Sequence, residues 1–279
     1  MRRWFLAMLL SALALFAWAP LWMLLSGSLM GAEEVAGNLG PVLGDTEGAA
    51  VWPLLPLYPT LRPYVELLLD SPEFFAMFWN SCRQVAPVVA GQVLIGAPAA
   101  WAFARLRFRG KKALFSLYIV LMLMPFQVTM VSSYLVLDGL GLLDTVWAVI
   151  LPGAVSTFPV FLMVRFFAAI PSALTEAAAL DGAGPLRTFL HVGLPLGAPG
   201  LLSAVVLGFL EYWNALEQPL TFLKDKTLWP LSLYLPTVTA DNAGVSLAAS
   251  VVMLLPALLI FLFGQKYLEQ GILAGAVKG

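Results

Sequence analysis

Long uncharged stretches separated by short charged ones dominate the pattern along the chain. Six intervals between consecutive charged residues reach twenty or more positions, and every other interval is far shorter. An ionised residue at mid-bilayer costs about 2.5–3.5 kcal/mol, and a helix needs roughly 20 residues to cross the hydrocarbon core. The pattern therefore predicts six transmembrane helices over the following ranges: about 4–30, 80–104, 113–137, 145–166, 195–217 and 243–265.

Composition agrees with this pattern. Of the 279 residues, 61% are hydrophobic and 11% are charged, whereas a soluble domain carries roughly 25% charged residues. We therefore expect an all-α, polytopic membrane protein, with residues 1–279 forming one transmembrane domain in the lipid bilayer. A net charge of −1 gives no field that would attract nucleic acid, and one cysteine with one histidine argues against a disulfide framework or a metal site.

Most lysines and arginines lie in alternate connections between the predicted spans, which favours a cytoplasmic location for those connections. The segment 31–75 is acidic instead, with Arg62 as its single cation, and only Lys224 and Lys226 run against the trend. We predict that both termini are cytoplasmic and that residues 31–75 are external. The cytoplasmic cations are Arg2, Arg3, Arg105, Arg107, Arg109, Lys111, Lys112, Arg165, Arg187, Lys266 and Lys278.

The external segment 31–75 is rich in glycine and proline, which predicts irregular structure rather than a separate domain. A helix is predicted to start near its end, because Pro72 suits the first helical position and Glu73 complements the helix dipole. Within this segment, residues 33–52 have no purpose that the sequence indicates.

The connection between predicted spans four and five, residues 170–194, gathers charge in a chain that otherwise avoids it. Pro171 can precede a helix that continues through the strong helix formers Ala177–Ala179. Asp181-Gly182 then offers a turn, and Pro185 can open a second short helix. The pattern predicts a cytoplasmic helix–turn–helix with little side-chain bulk, which a partner could approach closely. An interfacial loop that only joins two spans would have the same pattern.

At this connection the sequence resembles the EAA loop of binding-protein-dependent ABC importer permeases, with the family's spacing. Val192 stands where the family usually has isoleucine. The matching residues are Glu176, Ala177, Ala178, Asp181, Gly182, Ala183, Phe189, Leu194, Pro195 and Pro199. Further segments resemble the carbohydrate-uptake subfamily, specifically its maltose-type second permease subunit: Asn80-Ser81, WAFARLRFRGKK (101–112), GLLDT (141–145), Trp213-Asn214 and the tail 264–279.

The resemblance implies that this loop is a coupling helix that sits in a groove of a cytoplasmic ATPase. Glu176 would contact the ATPase electrostatically, and Gly182 with the alanines would allow close docking. Closure of the ATPase dimer would then rock the spans between inward-facing and outward-facing states. The expected coupling residues are Glu176, Ala177, Ala178, Asp181, Gly182, Ala183, Gly184, Phe189 and Pro195.

The same resemblance implies three kinds of partner in the inner membrane and around it. These are a second, related permease that completes a heterodimer, two ATPase subunits and an extracytoplasmic sugar-binding protein. The sequence contains no G-x-x-x-x-G-K-[ST] phosphate loop. We therefore expect a permease that is not an enzyme and has no cofactor of its own, with ATP and Mg²⁺ bound by the separate ATPase.

Five polar or aromatic residues are candidates for the sugar path, because sugars stack on aromatic faces and hydrogen-bond to amides and carboxylates. An equally open interpretation is that these polar groups hydrogen-bond neighbouring helices. The candidates are Gln127, after the Pro125 kink of the third span, and Glu211, Tyr212, Trp213 and Asn214.

Two other transport functions stay open at this point. An ABC importer permease for a non-sugar solute would share the EAA loop, although GLLDT (141–145) and the tail favour sugar. An ion-coupled secondary carrier would more typically place acidic residues inside its spans, and the predicted spans carry few. An intramembrane enzyme has no supporting cluster of His, Asp and Glu.

Overall fold

The computed structural model describes residues 2–43, 49–234 and 242–276, and within these ranges all the long elements are helices and no strand is present. The all-α fold class is thereby confirmed. The helices are α1 Arg2–Gly27, α2 Ala32–Leu43, α3 Arg62–Leu69, α4 Pro72–Arg105, α5 Lys111–Leu123, α6 Phe126–Gly139, α7 Trp147–Ala154, α8 Thr157–Ala169, α9 Ser172–Leu180, α10 Pro185–Thr188, α11 Leu194–Trp213, α12 Glu217–Phe222 and α13 Ala243–Ala276.

Several helical stretches are long and apolar enough to cross a membrane. Among the described residues there are five such stretches, in which α7 and α8 count as one and α10 and α11 as another. A sixth exists if α5 and α6, which are bent by 105° at their junction, form one span. The five are Arg3–Gly27, Pro72–Arg105, Trp147–Ala169, Pro185–Trp213 and Ala243–Glu269.

The predicted third span, 113–137, is not one continuous helix. Helix α5 ends at Leu123, and Met124 has an extended backbone with ψ of 121°. The ring of Pro125 disfavours the helical conformation at the preceding residue, and Pro125 lacks the N–H that would continue the hydrogen-bond ladder. The proline kink is therefore a full break between α5 and α6, and a count of six spans stays a prediction.

The prediction of irregular structure over 31–75 is wrong in two places. Residues 32–43 form α2, whose first turn carries Glu33 and Glu34. Residues 62–69 form α3, in which the Arg62 side chain pairs with Glu66 over 2.6 Å. The predicted helix start at Pro72 is confirmed as the first residue of α4. Of the unexplained segment 33–52, residues 44–48 lie outside the described ranges.

Residues pack into two compact units. One unit contains residues 1–76 and 234–256, and the other contains 77–233 and 257–279. In the first, Met30, Val35 and Ala243 form a small buried cluster.

The second unit has its main core where α4, α8 and α11 meet. Trp101 of α4 packs edge-on against Phe167 of α8, with 5.4 Å between ring centroids. Glycine makes the close approach of α11 possible, because a Cβ at Gly197 would lie 2.3 Å from the Phe167 ring. This core supports both ends of the α9–α10 segment, which connects α8 to α11.

Candidate functional site

Helix α9 lies largely uncovered on the surface of the second unit. Glu176 and Ala177 are exposed, whereas Thr175 and Ala178 are the half-buried positions of the helix. Leu180, the last residue of α9, is 89% exposed. The exposed surface of α9 therefore ends in an apolar side chain.

A Schellman motif ends α9 and produces the predicted turn. The N–H of Gly182 donates to the carbonyl of Ala179 over 3.1 Å, and the N–H of Ala183 donates to Ala178 over 2.9 Å. Gly182 has φ of +79°, in the left-handed region that this motif requires. Gly182 therefore shapes the turn through its backbone, and a Cβ at this position would meet nothing within 4 Å.

The second half of the loop is attached to the core through one aromatic side chain. Phe189 is 7% exposed and lies with Trp101 and Phe167 in the core of the second unit. A π-helical turn, Phe189–Gly193, joins α10 directly to α11, so the second predicted helix continues into the next span. Phe189 is thus an anchor of the loop, while Pro195 is exposed at the start of α11.

The seven other predicted coupling residues divide into two sets. Glu176, Ala177, Asp181, Gly182 and Gly184 are exposed and share one surface segment. Ala178 and Ala183 are half-buried.

A groove separates this loop from the basic segment after α4. The groove has a volume of about 610 Å³, and Glu176 lines it together with Arg105, Arg107 and Lys111. Arg105 turns inward, since its guanidinium donates to the carbonyls of Phe167 and Ile170 at the end of α8. Those carbonyls have no partner within their own helix, so the cation caps the C-terminus of α8.

Three of the five predicted path residues line one cavity in the second unit. Glu211, Tyr212 and Asn214 surround a space of about 340 Å³ at the junction of α11 and α12. Gln127 is connected to the same place, because its amide donates to the carboxylate of Glu217, which also lines the cavity.

Trp213 does not belong to this group. It is 5% exposed, stacks on Phe209 with 5.3 Å between centroids and meets Phe78 edge-on. Adjacent residues on a helix point about 100° apart, so Trp213 faces a different side from Tyr212. It lines a separate, apolar cavity with residues of α4, and a role of Trp213 in the sugar path stays a prediction.

The sequence did not identify the residues that hold the segment after α12, residues 224–231. Asn80 donates to the carbonyls of Thr227 and Trp229, and Gln84 donates to Leu228. The hydroxyl of Ser81 accepts from the N–H of Leu231 over 2.7 Å. The resemblance at Asn80-Ser81 was the only signal for this role.

Asp144, within GLLDT, holds the other end of that segment. Its Oδ1 accepts from the backbone N–H groups of Lys224 and Asp225 at 2.8 and 2.7 Å. Asp225 in turn accepts from the N–H and the side chain of Thr227, and these hydrogen bonds hold its pKa below the usual range for aspartate. The described residues contain no group of three or more His, Cys, Asp or Glu that could hold a metal ion.

Residues 92–274 match the family described as binding-protein-dependent transport system inner membrane component. The arabinooligosaccharides transport system permease protein AraQ of Halalkalibacterium halodurans is 27% identical, over 99% of this chain and 96% of its own. The diacetylchitobiose uptake system permease protein DasC of Streptomyces coelicolor is 30% identical, over 75% of this chain and 78% of its own.

A solved structure has the same fold. A chain of a bacterial ABC transporter involved in the import of the acidic polysaccharide alginate superimposes with a TM-score of 0.80 at 25% identity, covering 94% of both chains. The family match covers more than half of the sequence, and it includes the loop, the cavity and the segment after α12. This chain therefore belongs to the binding-protein-dependent transport system inner membrane components, the multi-pass permeases of ABC importers.

Proposed function

We propose that this chain is one of two related permease subunits of an ATP-driven importer for a sugar or oligosaccharide. It forms half of the translocation path, works by alternating access and lies in the inner membrane with both termini in the cytoplasm. An extracytoplasmic sugar-binding protein delivers the solute, and two ATPase subunits bind ATP and Mg²⁺. The chain itself needs no cofactor for this role.

The exposed face of α9 is the observation that carries the coupling role. Glu176, Asp181 and Gly182 lie on an uncovered surface, while Phe189 ties the same segment to the core. A force applied to α9 would reach α8 and α11 through that anchor. Leu180 and Leu186, which are 89% and 70% exposed, supply apolar groups that a groove in the ATPase could bury.

Sugar as the solute is supported by the relatives. The names of two of them refer to arabinooligosaccharides and diacetylchitobiose, and the solved transporter is involved in the import of a polysaccharide. Aromatic, amide and carboxylate groups around the cavity at the junction of α11 and α12 suit the hydroxyls and C–H faces of such a solute.

The decisive experiment purifies the chain with the products of its neighbouring genes and measures sugar-stimulated ATP hydrolysis and uptake in proteoliposomes. We expect Glu176→Lys and Gly182→Leu to abolish uptake while the complex still inserts. The first reverses a charge on the docking face, and the second forces a branched side chain into a left-handed backbone, which costs about 1–2 kcal/mol.

Matched controls make the same substitutions on the external segment. Glu33 is exposed on α2, and a Cβ at Gly37 of α2 would meet nothing within 4 Å. Glu33→Lys and Gly37→Leu should keep uptake near that of the wild type. Normal uptake in both loop variants would refute coupling through α9, and failure to associate with any ATPase would refute the importer.

A further inference from the structure

The cavity at the junction of α11 and α12 has a size and lining that suit a polar solute. Its volume of about 340 Å³ falls within the range of roughly 300–1,000 Å³ that is usual for small-molecule sites. Phe126, from the start of α6, and Tyr212 are the aromatic residues of its lining. Asn214 and Gln218 contribute amides.

The charged groups around this cavity are all of one sign. Glu211 and Glu217 line it, and none of its lining residues is Lys, Arg or His. Glu217 accepts a hydrogen bond from the amide of Gln127, which orients the carboxylate without neutralising it. Among the residues that the structure describes, no hydrogen bond or ion pair joins the Glu211 carboxylate to another group, and the ion pair that is present, Arg62–Glu66, lies in the other unit.

Two carboxylates without a cation determine which functional groups of a solute the cavity can bind. An ionised carboxylate accepts hydrogen bonds and cannot donate them, so it matches the hydroxyl or ammonium groups of a solute. A solute carboxylate in the same space would face two like charges, and their electrostatic repulsion would oppose its binding.

We infer that this cavity selects uncharged and amino-bearing sugars and rejects sugars that carry a uronic acid carboxylate. The inference rests on the proposed role in sugar uptake and adds the substrate class. The relatives alone do not determine this class, because their names refer to diacetylchitobiose and arabinooligosaccharides as well as to the acidic polysaccharide alginate.

Equilibrium binding to the detergent-purified importer, without its binding protein, tests the inference directly. The radiolabelled probes are a glucosamine disaccharide, an arabinose disaccharide and a galacturonic acid disaccharide, each at low and high salt. We expect the wild type to bind the galacturonate probe at least about tenfold more weakly than either other probe, and the difference should shrink at high salt.

The double variant Glu211→Gln/Glu217→Gln keeps the shape of the cavity and removes its charge. It should raise affinity for the galacturonate probe and lower affinity for the glucosamine probe, by about tenfold each, with little change for the arabinose probe. Asp138→Asn, which neutralises an exposed carboxylate at the end of α6 that does not line the cavity, is the matched control and should change none of these values.

Two outcomes of the binding experiment would contradict the inference. Equal affinity for the galacturonate probe in the wild type and the double variant would show that the carboxylates do not select the solute. Absence of binding by every probe would remove the cavity as a sugar site. The proposed function fails separately, when the complete importer with its binding protein transports no sugar in the uptake assay.

Discussion

Asp144 illustrates how one residue can serve both backbone geometry and tertiary contact. It has φ of +59°, and it is the only residue other than glycine with positive φ among the described ranges. Aspartate and asparagine tolerate this region better than other residues with a side chain, because their short polar groups can hydrogen-bond locally. The same side chain accepts the N–H groups of Lys224 and Asp225.

We expect Asp144→Ala to destabilise the second unit by about 2 kcal/mol, because it loses two hydrogen bonds and places alanine in the left-handed region. Asp144→Asn keeps the tolerance for positive φ and one acceptor oxygen, so it should lose less than half as much. The melting temperature of the detergent-purified protein measures both. A melting temperature for Asp144→Ala equal to that of the wild type would show that the contact contributes nothing.

At single positions, the sequence predicted the role of a residue type better than the direction in which its side chain points. Gly182 was assigned to a turn from the Asp-Gly pair alone, and the structure places it in the left-handed region. The sequence predicts residues 211–214 as one group of path candidates, although adjacent helical residues point in different directions. Whether Tyr212 or Trp213 faces the cavity depends on the packing of α11 against α4 and α7, which no local pattern contains.

Helix α8 depends on a cap that comes from a distant part of the chain. Arg105 donates to the carbonyls of Phe167 and Ile170 and lies 6.0 Å from the centroid of the Trp101 ring. Arg107 lines the same groove but is exposed. We expect Arg105→Gln to lower the free energy of unfolding by about 1.5–3 kcal/mol, the usual contribution of hydrogen bonds to a charged group.

Arg107→Gln is the matched control, since it removes the same charge without breaking a cap, and it should change stability by less than about 0.5 kcal/mol. Thermal unfolding of both purified variants shows whether Arg105 caps α8 or is only a surface charge. If Arg105→Gln and Arg107→Gln have the same melting temperature, the capping contacts do not stabilise α8.

Helices were predicted well where local signals agreed and poorly where tertiary packing decided. Helix α9 follows from Pro171, the alanines and the Asp-Gly turn. Helix α2 was missed because its glycines and a proline argue against a helix, yet Val35 is fully buried against Met30. The break between α5 and α6 was expected only as a kink, since a proline in a membrane helix can do either.

The course of α5 and α6 determines the topology of the entire chain. With 13 and 14 residues, each helix is about 20 Å long, too short to cross roughly 30 Å of hydrocarbon alone. If both halves tilt equally about their 105° break, together they cover about 25 Å along the membrane normal. Lys111 and Lys112 are the first residues of α5 and Asp138 lies in the last turn of α6, a distribution that favours crossing over return to the cytoplasm.

Cysteine labelling distinguishes a broken span from a re-entrant pair. In a Cys82→Ala background, which removes the single native thiol, we introduce Lys112→Cys, Asp138→Cys or Leu180→Cys and add a membrane-impermeant maleimide to spheroplasts. We expect position 138 to react in intact spheroplasts, and positions 112 and 180 to react only after permeabilisation. A re-entrant pair would make 112 and 138 react alike and would expose 180 to the outside. That result would leave five spans and place the two termini on opposite sides, and α9 could then no longer meet a cytoplasmic ATPase.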